Sequence, residues 1–324
     1  MPLTLAQAKV GMADKVDQAV IDEFRRSSLL LDRLVFDNAV SPGTGGSTLT
    51  YGYIRLKTPS VAAGRALNSE YVPGEAIKEK ATTDLKIMGG SFQVDRVLED
   101  TAAQSEIAFQ VSEKTKATAN QFHNEVINGD STSKETDFDG LDKILTGTDT
   151  EYKPTSGVDL STSAAMTTNF DEFLDNMLTF ISKLDGKPDM LLMNSTMLVK
   201  MKSVARRAGY YSRTENAFGA SVDNWDGIPM VDLENYYDGT KTNPIVAIAA
   251  DGTTDIYAVR IGLDGFHGVS PTGNKIIKTY LPRKDEPGAV KKGEVELVAG
   301  IALKNSKRAG VFRGIQVAPV KASE

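Results

Sequence analysis

The sequence has no cysteine in its 324 residues. That absence removes disulfides, thiolate nucleophiles and Cys-ligated zinc or iron–sulfur clusters together. Histidine is nearly as scarce: His123 and His267 lie far apart, in neither an HExxH nor an HxH spacing, so a His-based metal centre has no local framework. His123 follows Phe122 on a helical stretch and is expected to be a partly exposed helix residue. His267, in Gly265-Phe266-His267-Gly268, is expected in a turn. No apolar run approaches the roughly 18 residues that a membrane helix needs, so no membrane is expected among the partners. The opening residues Met1-Pro2-Leu3-Thr4-Leu5-Ala6-Gln7-Ala8-Lys9 lack the basic, apolar and small-residue regions of a signal peptide, and export by that route is not expected. An excess of positive charge is missing too. Lys and Arg number 37 against 43 Asp and Glu, a net charge of −6, whereas tight non-specific binding of nucleic acid needs clustered cations to displace counterions. Any contact with nucleic acid is expected to be weak.

Motifs for chemistry are equally thin. Ser41-Pro42-Gly43-Thr44-Gly45-Gly46-Ser47-Thr48 could cradle a phosphate, but it has no P-loop lysine and no third glycine at dinucleotide spacing, and it follows a helical stretch. It reads as a flexible joint. Asp137-Phe138-Asp139-Gly140 and Asp251-Gly252-Thr253-Thr254-Asp255 lack the alternating oxygen ligands and closing Glu of a calcium loop, and read as turns. A Gly-x-Ser-x-Gly elbow is absent. Arg206-Arg207-Ala208-Gly209-Tyr210-Tyr211-Ser212-Arg213 combines cations with aromatics able to touch phosphate and stack on bases. A helix C-terminus equally favours arginine through its dipole. No catalytic, cofactor-binding or metal-ligating residue is assigned, and no enzyme is expected.

What is present is an ordinary globular composition, 40% apolar and 25% charged, long enough for two domains. From Ala13 to Phe36 a loose apolar stripe predicts an arm helix. From Thr48 to Val94 two strands, Leu49–Lys57 and Asp84–Met88, flank a polar middle, Thr58–Thr83, which holds Gly64, Pro73, Gly74 and many charges. A stretch of that length with no core of its own is usually functional or completed by a partner. The strongest helical period runs from Val97 to Ile127, with Leu98, Ala102, Ala108, Val111, Thr115, Ala119, Phe122 and Val126 on one face. Its length predicts a rod of about 45 Å, stopped at Asn128-Gly129-Asp130 by a glycine suited to a left-handed terminus. Further on, Asn169 is the expected cap of a helix through Leu184, and Pro188–Met193 a buried strand. Asn194 or Ser195 caps another helix, which ends at Gly209. The last third is strand-rich: Pro229–Val231, Ile245–Ala249, Asp255–Arg260, Lys275–Leu281, Glu294–Ala302 and Gly310–Ile315.

The order of these segments, and three local patterns, carry a resemblance. Asn128-Gly129-Asp130 followed by Phe138-Asp139-Gly140-Leu141, then Trp225-Asp226-Gly227-Ile228-Pro229-Met230, and finally the strand pair within Glu294–Ile315 around a basic turn, together resemble the HK97-like major capsid proteins of tailed double-stranded DNA phages. The resemblance implies an α+β fold with an N-arm over 1–46 and an E-loop hairpin over 47–94. It implies a P-domain, with a long spine helix and β-strands, from 95–130 and 266–302. It also implies a mixed α/β A-domain from 131–265 and 303–324. It further implies a structural protein that self-assembles as hexamers and pentamers of an icosahedral head, built in the host cytoplasm and located in the virion. The partners so implied are a scaffolding protein, here expected to be a separate chain, a portal protein and, weakly, packaged double-stranded DNA. An encapsulin-type cargo compartment shares the fold and is the first rival. A cytosolic α/β enzyme and a minor virion or tail component are the others. Some relatives cross-link Lys to Asn between subunits; Lys57, Lys78, Lys80, Lys86 and Asn305 are the residues placed for it, and no cross-link is expected. Denatured particles should therefore run as a single band at 34.9 kDa on a gel, and a ladder of covalent oligomers would refute this.

Overall fold

The computed structural model describes residues 28–40, 49–58, 60–101, 105–215, 221–273, 276–282 and 288–319. The arm helix expected from Ala13 and the joint at 41–47 lie largely outside them. The described part of the arm is helical over α1 (Leu29–Arg33), capped by Ser28, whose hydroxyl accepts from Leu30 N. Phe36, expected to close the helix, lies instead in a short strand, β1 (Phe36–Asp37). Leu30 and Leu31 are fully buried, so apolar burial fixes this segment to the body.

After a hairpin, β2 (Thr50–Thr58) and β3 (Ile77–Asp84), the chain enters the first of two layered units. Strand β4 (Lys86–Asp95) leads into α2 (Arg96–Thr101) and α3 (Glu106–Asn128). Far along the chain lie β13 (Phe266–Val269), β14 (Ile277–Tyr280) and the long β15 (Val290–Leu303). Strand β15 pairs antiparallel with β4 from Val290↔Asp95 to Ala299↔Lys86. It also pairs with β14, and its far end with β13, which β1 joins in parallel. Met88, Phe92 and Val94 of β4, with Val295, Leu297 and Ala299 of β15, are buried at a spacing of two or four residues, which turns one face of the ladder towards α3. Helix α3 answers with Ile107, Val111, Thr115, Ala119, Phe122 and Val126. Thr115 fits the stripe because its hydroxyl donates back to Val111 O, 2.8 Å away.

The expected 31-residue rod is interrupted. Ser105 caps α3 by accepting from Ala108 N, while the Glu99 carboxylate accepts from the Ser105 hydroxyl (2.8 Å) and from Ile107 N (3.1 Å). Local capping wins over continuation, since side chains satisfy the amides at the new terminus. The 23-residue α3 is about 34 Å long. Its end also differs from expectation. Gly129 has φ −58°, not a left-handed value, and is needed for space, because a Cβ there would lie 2.2 Å from Phe138 O and 2.6 Å from Glu125 O. Gly140 is equally confined, 2.6 Å from Ile127 O, and its amide donates to Gly129 O.

The second unit contains α4 (Leu141–Leu145), β5 (Glu151–Tyr152), α5 (Ser163–Ser182), β6 (Met190–Met193) and α6 (Ser195–Ala208). After these come β7 (Tyr211–Glu215), β8 (Ser221–Trp225), β9 (Ile228–Asp232), β10 (Asn235–Tyr237) and β11 (Thr242–Pro244). Strands β12 (Thr253–Val259) and β16 (Ala309–Gln316) complete it. Its sheet has the order β5-β16-β12-β6-β9-β8-β7. Alternate residues separate its faces: Leu191, Met193, Ile256 and Ala258 join the core with Phe173, Met177, Phe180, Met197 and Met201 of α5 and α6. Met190, Leu192, Tyr257 and Val259 join the core that contains Phe122 of α3. Asn194 caps α6 and Gly209, at φ 75°, ends it, as expected. Asn169 does not cap α5. Thr162 does, and Asn169 sits inside the helix with its amide donating to Asp159 O. The strand expected over Ile245–Ala249 is irregular: its buried carbonyls at Ile245 and Val246 accept from the side chains of Asn128 and Asn194, which replace a ladder partner.

Both histidines are corrected by the fold. His123 is buried on α3 with neither ring nitrogen partnered, and burial pushes it down to about 4. His267 is a fully buried residue of β13, not a turn. Two residues beyond His123, burial pushes the Glu125 carboxyl up to about 7, only partly opposed by the Gln121 amide. These shifts act oppositely on stability. Between about pH 4 and 6.5 the unfolded chain protonates His123 and the folded chain does not, so acidification destabilises. Between about pH 4.5 and 7 the folded chain protonates Glu125 and the unfolded chain does not, so acidification stabilises. Each contribution amounts to about 3 kcal/mol over its window, and the two nearly cancel in the wild type. Urea denaturation at pH 5 and pH 7 should show Glu125→Gln losing stability on acidification relative to wild type and His123→Gln gaining it. Parallel shifts in both variants would refute the assignment.

Candidate assembly surface

The motifs noted in the sequence that lie among the described residues serve local structure. Among the described residues no group of three or more His, Asp and Glu side chains could hold a metal ion. The Arg–Tyr cluster divides between the end of α6 and β7. There Asp223 of β8 meets Lys202 (2.5 Å), Arg213 (2.9 Å) and the Tyr211 hydroxyl (2.6 Å). Burial alone would raise Asp223, but these partners hold it near 2. Lys202 and Arg213 thus serve an internal carboxylate, while Arg206 and Arg207 turn to Lys202 O and the Thr167 hydroxyl. Asp137 and Asp139 lie in the exit turn of α3, where Lys134 meets Asp137 and Lys143 meets Asp139 and Asp130. Asp251 caps its own turn through Thr253. Of the cross-linking candidates, Lys86 donates to Glu135 O, and Asn305 Oδ1 caps the turn at Ser306–Arg308; the Gly-rich run lies outside the described residues.

The feature without an internal explanation is the hairpin. Strands β2 and β3 pair antiparallel from Thr50↔Asp84 to Thr58↔Ile77, with an irregularity between Leu56 and Thr58. The second strand therefore lies earlier than the Asp84–Met88 read from the sequence, and Lys86 onward belongs to β4. Ile77-Lys78-Glu79-Lys80-Ala81-Thr82-Thr83-Asp84 has no apolar face and reads as a loop in isolation; pairing with β2 makes it a strand. Arg55 and Glu79 meet across the strands at 2.9 Å, a surface pair worth about 0–1 kcal/mol.

The hairpin and its loop, 60–76, leave large apolar side chains uncovered. Ile54 is 67% exposed, Leu67 90% and Val72 87%, and Val61, Tyr71 and Ile77 are also exposed. Such a concentration on one projecting element is unusual for a surface that meets only water. Its root, in contrast, is fixed. Tyr51, Leu85, Val40, Val269 and Ala302 form a small buried cluster, and Leu85 N donates to Leu49 O at 2.7 Å. A firmly rooted arm with an uncovered apolar shaft has the geometry of an element that another molecule covers.

No family model matches the sequence, and no curated protein matches it. Solved structures match it in fold. The SrpI encapsulin complex of Synechococcus elongatus PCC 7942 gives a TM-score of 0.60 at 15% identity, over 91% of this chain and 90% of that one. A chain of Mycobacterium phage Bobi gives 0.55 at 11%, over 88% and 89%. The virus-like particle of Pyrococcus furiosus gives 0.52 at 12%, over 92% and 98%. Likeness along nearly the whole chain shows that this chain has the α+β HK97 capsid fold.

Proposed function

We propose that this chain is a shell-forming subunit, the major capsid protein of a tailed-phage head, assembling as hexamers and pentamers around double-stranded DNA. The observation that carries this reading is the hairpin β2–β3: a rooted element whose apolar side chains have no cover among the described residues. In a closed shell a neighbouring copy supplies that cover, and burying such side chains contributes about 1.5–3 kcal/mol each where they become fully covered. The arm, E-loop, P-domain and A-domain then occupy 1–46, 47–94, 95–130 with 266–302, and 131–265 with 303–324. Assembly draws on a separate scaffolding protein and a portal protein. The net charge of −6 suits a lining that holds DNA weakly enough to release it. The virion is the final location, reached from the host cytoplasm, and the subunit performs no catalysis.

A second reading, an encapsulin-type compartment, is supported by the likeness to the Synechococcus encapsulin complex. Shells purified from the native source discriminate the two: double-stranded DNA inside supports the phage head, and a protein cargo supports the compartment.

Negative-stain microscopy of the protein expressed with its neighbouring genes is expected to show closed, uniform shells; tubes or a small oligomer would overturn the proposal. Replacing residues 60–76 with an Asn-Gly turn should leave a folded subunit whose melting temperature shifts by no more than a few degrees but which forms no stable shell. In the protein with its hairpin intact, trypsin should cut after Arg65, the sole basic residue within 60–76, in free subunits and spare it in shells. Normal shells from the shortened hairpin, or equal cleavage in both states, would refute the role given to this element.

A further inference from the structure

The root of the hairpin contains an arrangement that packing alone does not require. The Tyr51 hydroxyl donates to Asp37 Oδ2 at 2.8 Å, and Asp37 belongs to β1, a segment that precedes the hairpin and is held elsewhere. The other oxygen, Asp37 Oδ1, accepts from Ala39 N at 2.9 Å, so the carboxylate is fixed at both oxygens. Its backbone is fixed as well: β1 pairs with β13 at Phe36↔Gly268 and Asp37↔Val269, and Ser270 N donates to Asp37 O. The Tyr51 ring is gripped around its body. His267 of β13 meets it edge-on with centroids 5.9 Å apart, Tyr53 lies 5.9 Å away along β2, and the Lys304 ammonium, just past β15, sits 5.5 Å from the ring centroid. Burial and the neighbouring Asp37 both raise the Tyr51 hydroxyl, so it stays a donor at any physiological pH.

A projecting two-stranded ribbon connected to the body by its ends is free to swing unless something resists rotation at the root. Along β2 the hydroxyl–carboxylate bond adds a fixed point off the strand axis, reaching to a strand outside the hairpin. Hydrogen bonds to charged groups are the stronger class. The ring grip prevents the side chain from following a swing by changing rotamer.

We propose that Tyr51 is a positioning residue whose bond to Asp37 sets the direction in which the hairpin projects, making the segment at 28–40 a strut that preorients the hairpin before any partner arrives. The partner's identity rests on the shell-forming reading above, but the strut does not. In an assembling subunit its effect would be to remove orientational freedom in advance, so that less entropy is lost on docking. It also couples the arm to the hairpin, because a shift of β1 carries Asp37 with it.

The absence of cysteine allows clean labelling. Ile54→Cys on β2 and Val199→Cys on α6, both exposed, take a pair of spin labels in the full-length, unassembled chain, and the distance distribution between them reports hairpin direction. The labelled protein with Tyr51 and Asp37 intact should give one narrow distance. Tyr51→Phe, which keeps the ring and its packing, should widen the distribution at least about twofold, as should Asp37→Ala, and the double variant should be no wider than Asp37→Ala alone, because both substitutions break one bond. Circular dichroism confirms that each variant is folded at the temperature of measurement. A narrow distribution in Tyr51→Phe, or additive widening in the double variant, would overturn the proposal. Since no assembly step is measured, a strut without shells would count against the shell reading alone, and shells without a strut against this inference alone.

Discussion

The ladder between β4 and β15 joins residues 86–95 to residues 290–299, and the other elements take their positions from that closure. Bringing together segments so distant in sequence costs chain entropy that grows slowly with loop length, so a long, unbroken run of pairs can repay it. Two glycines permit the close fit. Gly89 adopts φ +152°, and a Cβ there would sit 2.0 Å from Val295 O; Gly293 lies beneath the Phe92 ring, leaving no room for a side chain. With the ladder in place, its apolar face specifies where α3 lies, β13 is added at the far end of β15, and β1 is added to β13. The hairpin root then rests on Val269 and Ala302 of the same sheet.

This dependence separates folding from assembly. Within the ladder and the seven-stranded sheet, buried alternate residues account for stability in a single chain. Beyond the root, Ile54, Leu67 and Val72 are left exposed by the described residues. The two regions meet different physical requirements. One closes on itself, and under the shell-forming proposal the other is covered only when a second copy meets it. A subunit whose hairpin were fully packed would be more stable alone and would have less to gain from a neighbour.

The sequence exposed the parts governed by short-range rules. Asn194 before β-to-helix transition and Gly209 after a basic turn mark α6 correctly, since capping and left-handed termination are local. The strands within 253–259, 290–303 and 309–316 were legible through β-branched residues bounded by glycine and charge. Misreadings arose where the decision lies with a distant partner. The polar β3 is a strand because β2 lies beside it. Ile245–Ala249 is not a strand because two asparagine side chains take its carbonyls. His123 reads as partly exposed because it falls one residue past Phe122 of the apolar stripe, yet that side of α3 is closed over by the rest of the fold. The cap at Ser105 is local and readable in the sequence: Ser105 with the acid Glu99 six residues earlier is a capping pair that an unbroken apolar period conceals.

The exit of α3 ties the two layered units together. Asn128 donates to Ile245 O, and Gly129 and Gly140 let the chain fold back against the helix end. The returning segment places Asp142 against Arg313 of β16 at 2.6 Å, where Arg313 also meets Asp255 and Glu151. Tyr257 donates to the same Asp142 oxygen from the sheet interior, 3.0 Å away. Removing Arg313 would leave three carboxylates facing one another, so its guanidinium is a requirement of the junction rather than an addition to it. Because α3 ends in a polar network anchored to the sheet, while its middle is packed on the β4–β15 ladder, a displacement of the ladder reaches the sheet through a rigid rod and not through a flexible linker. That stiffness gives the rooted hairpin a fixed frame against which its direction has meaning.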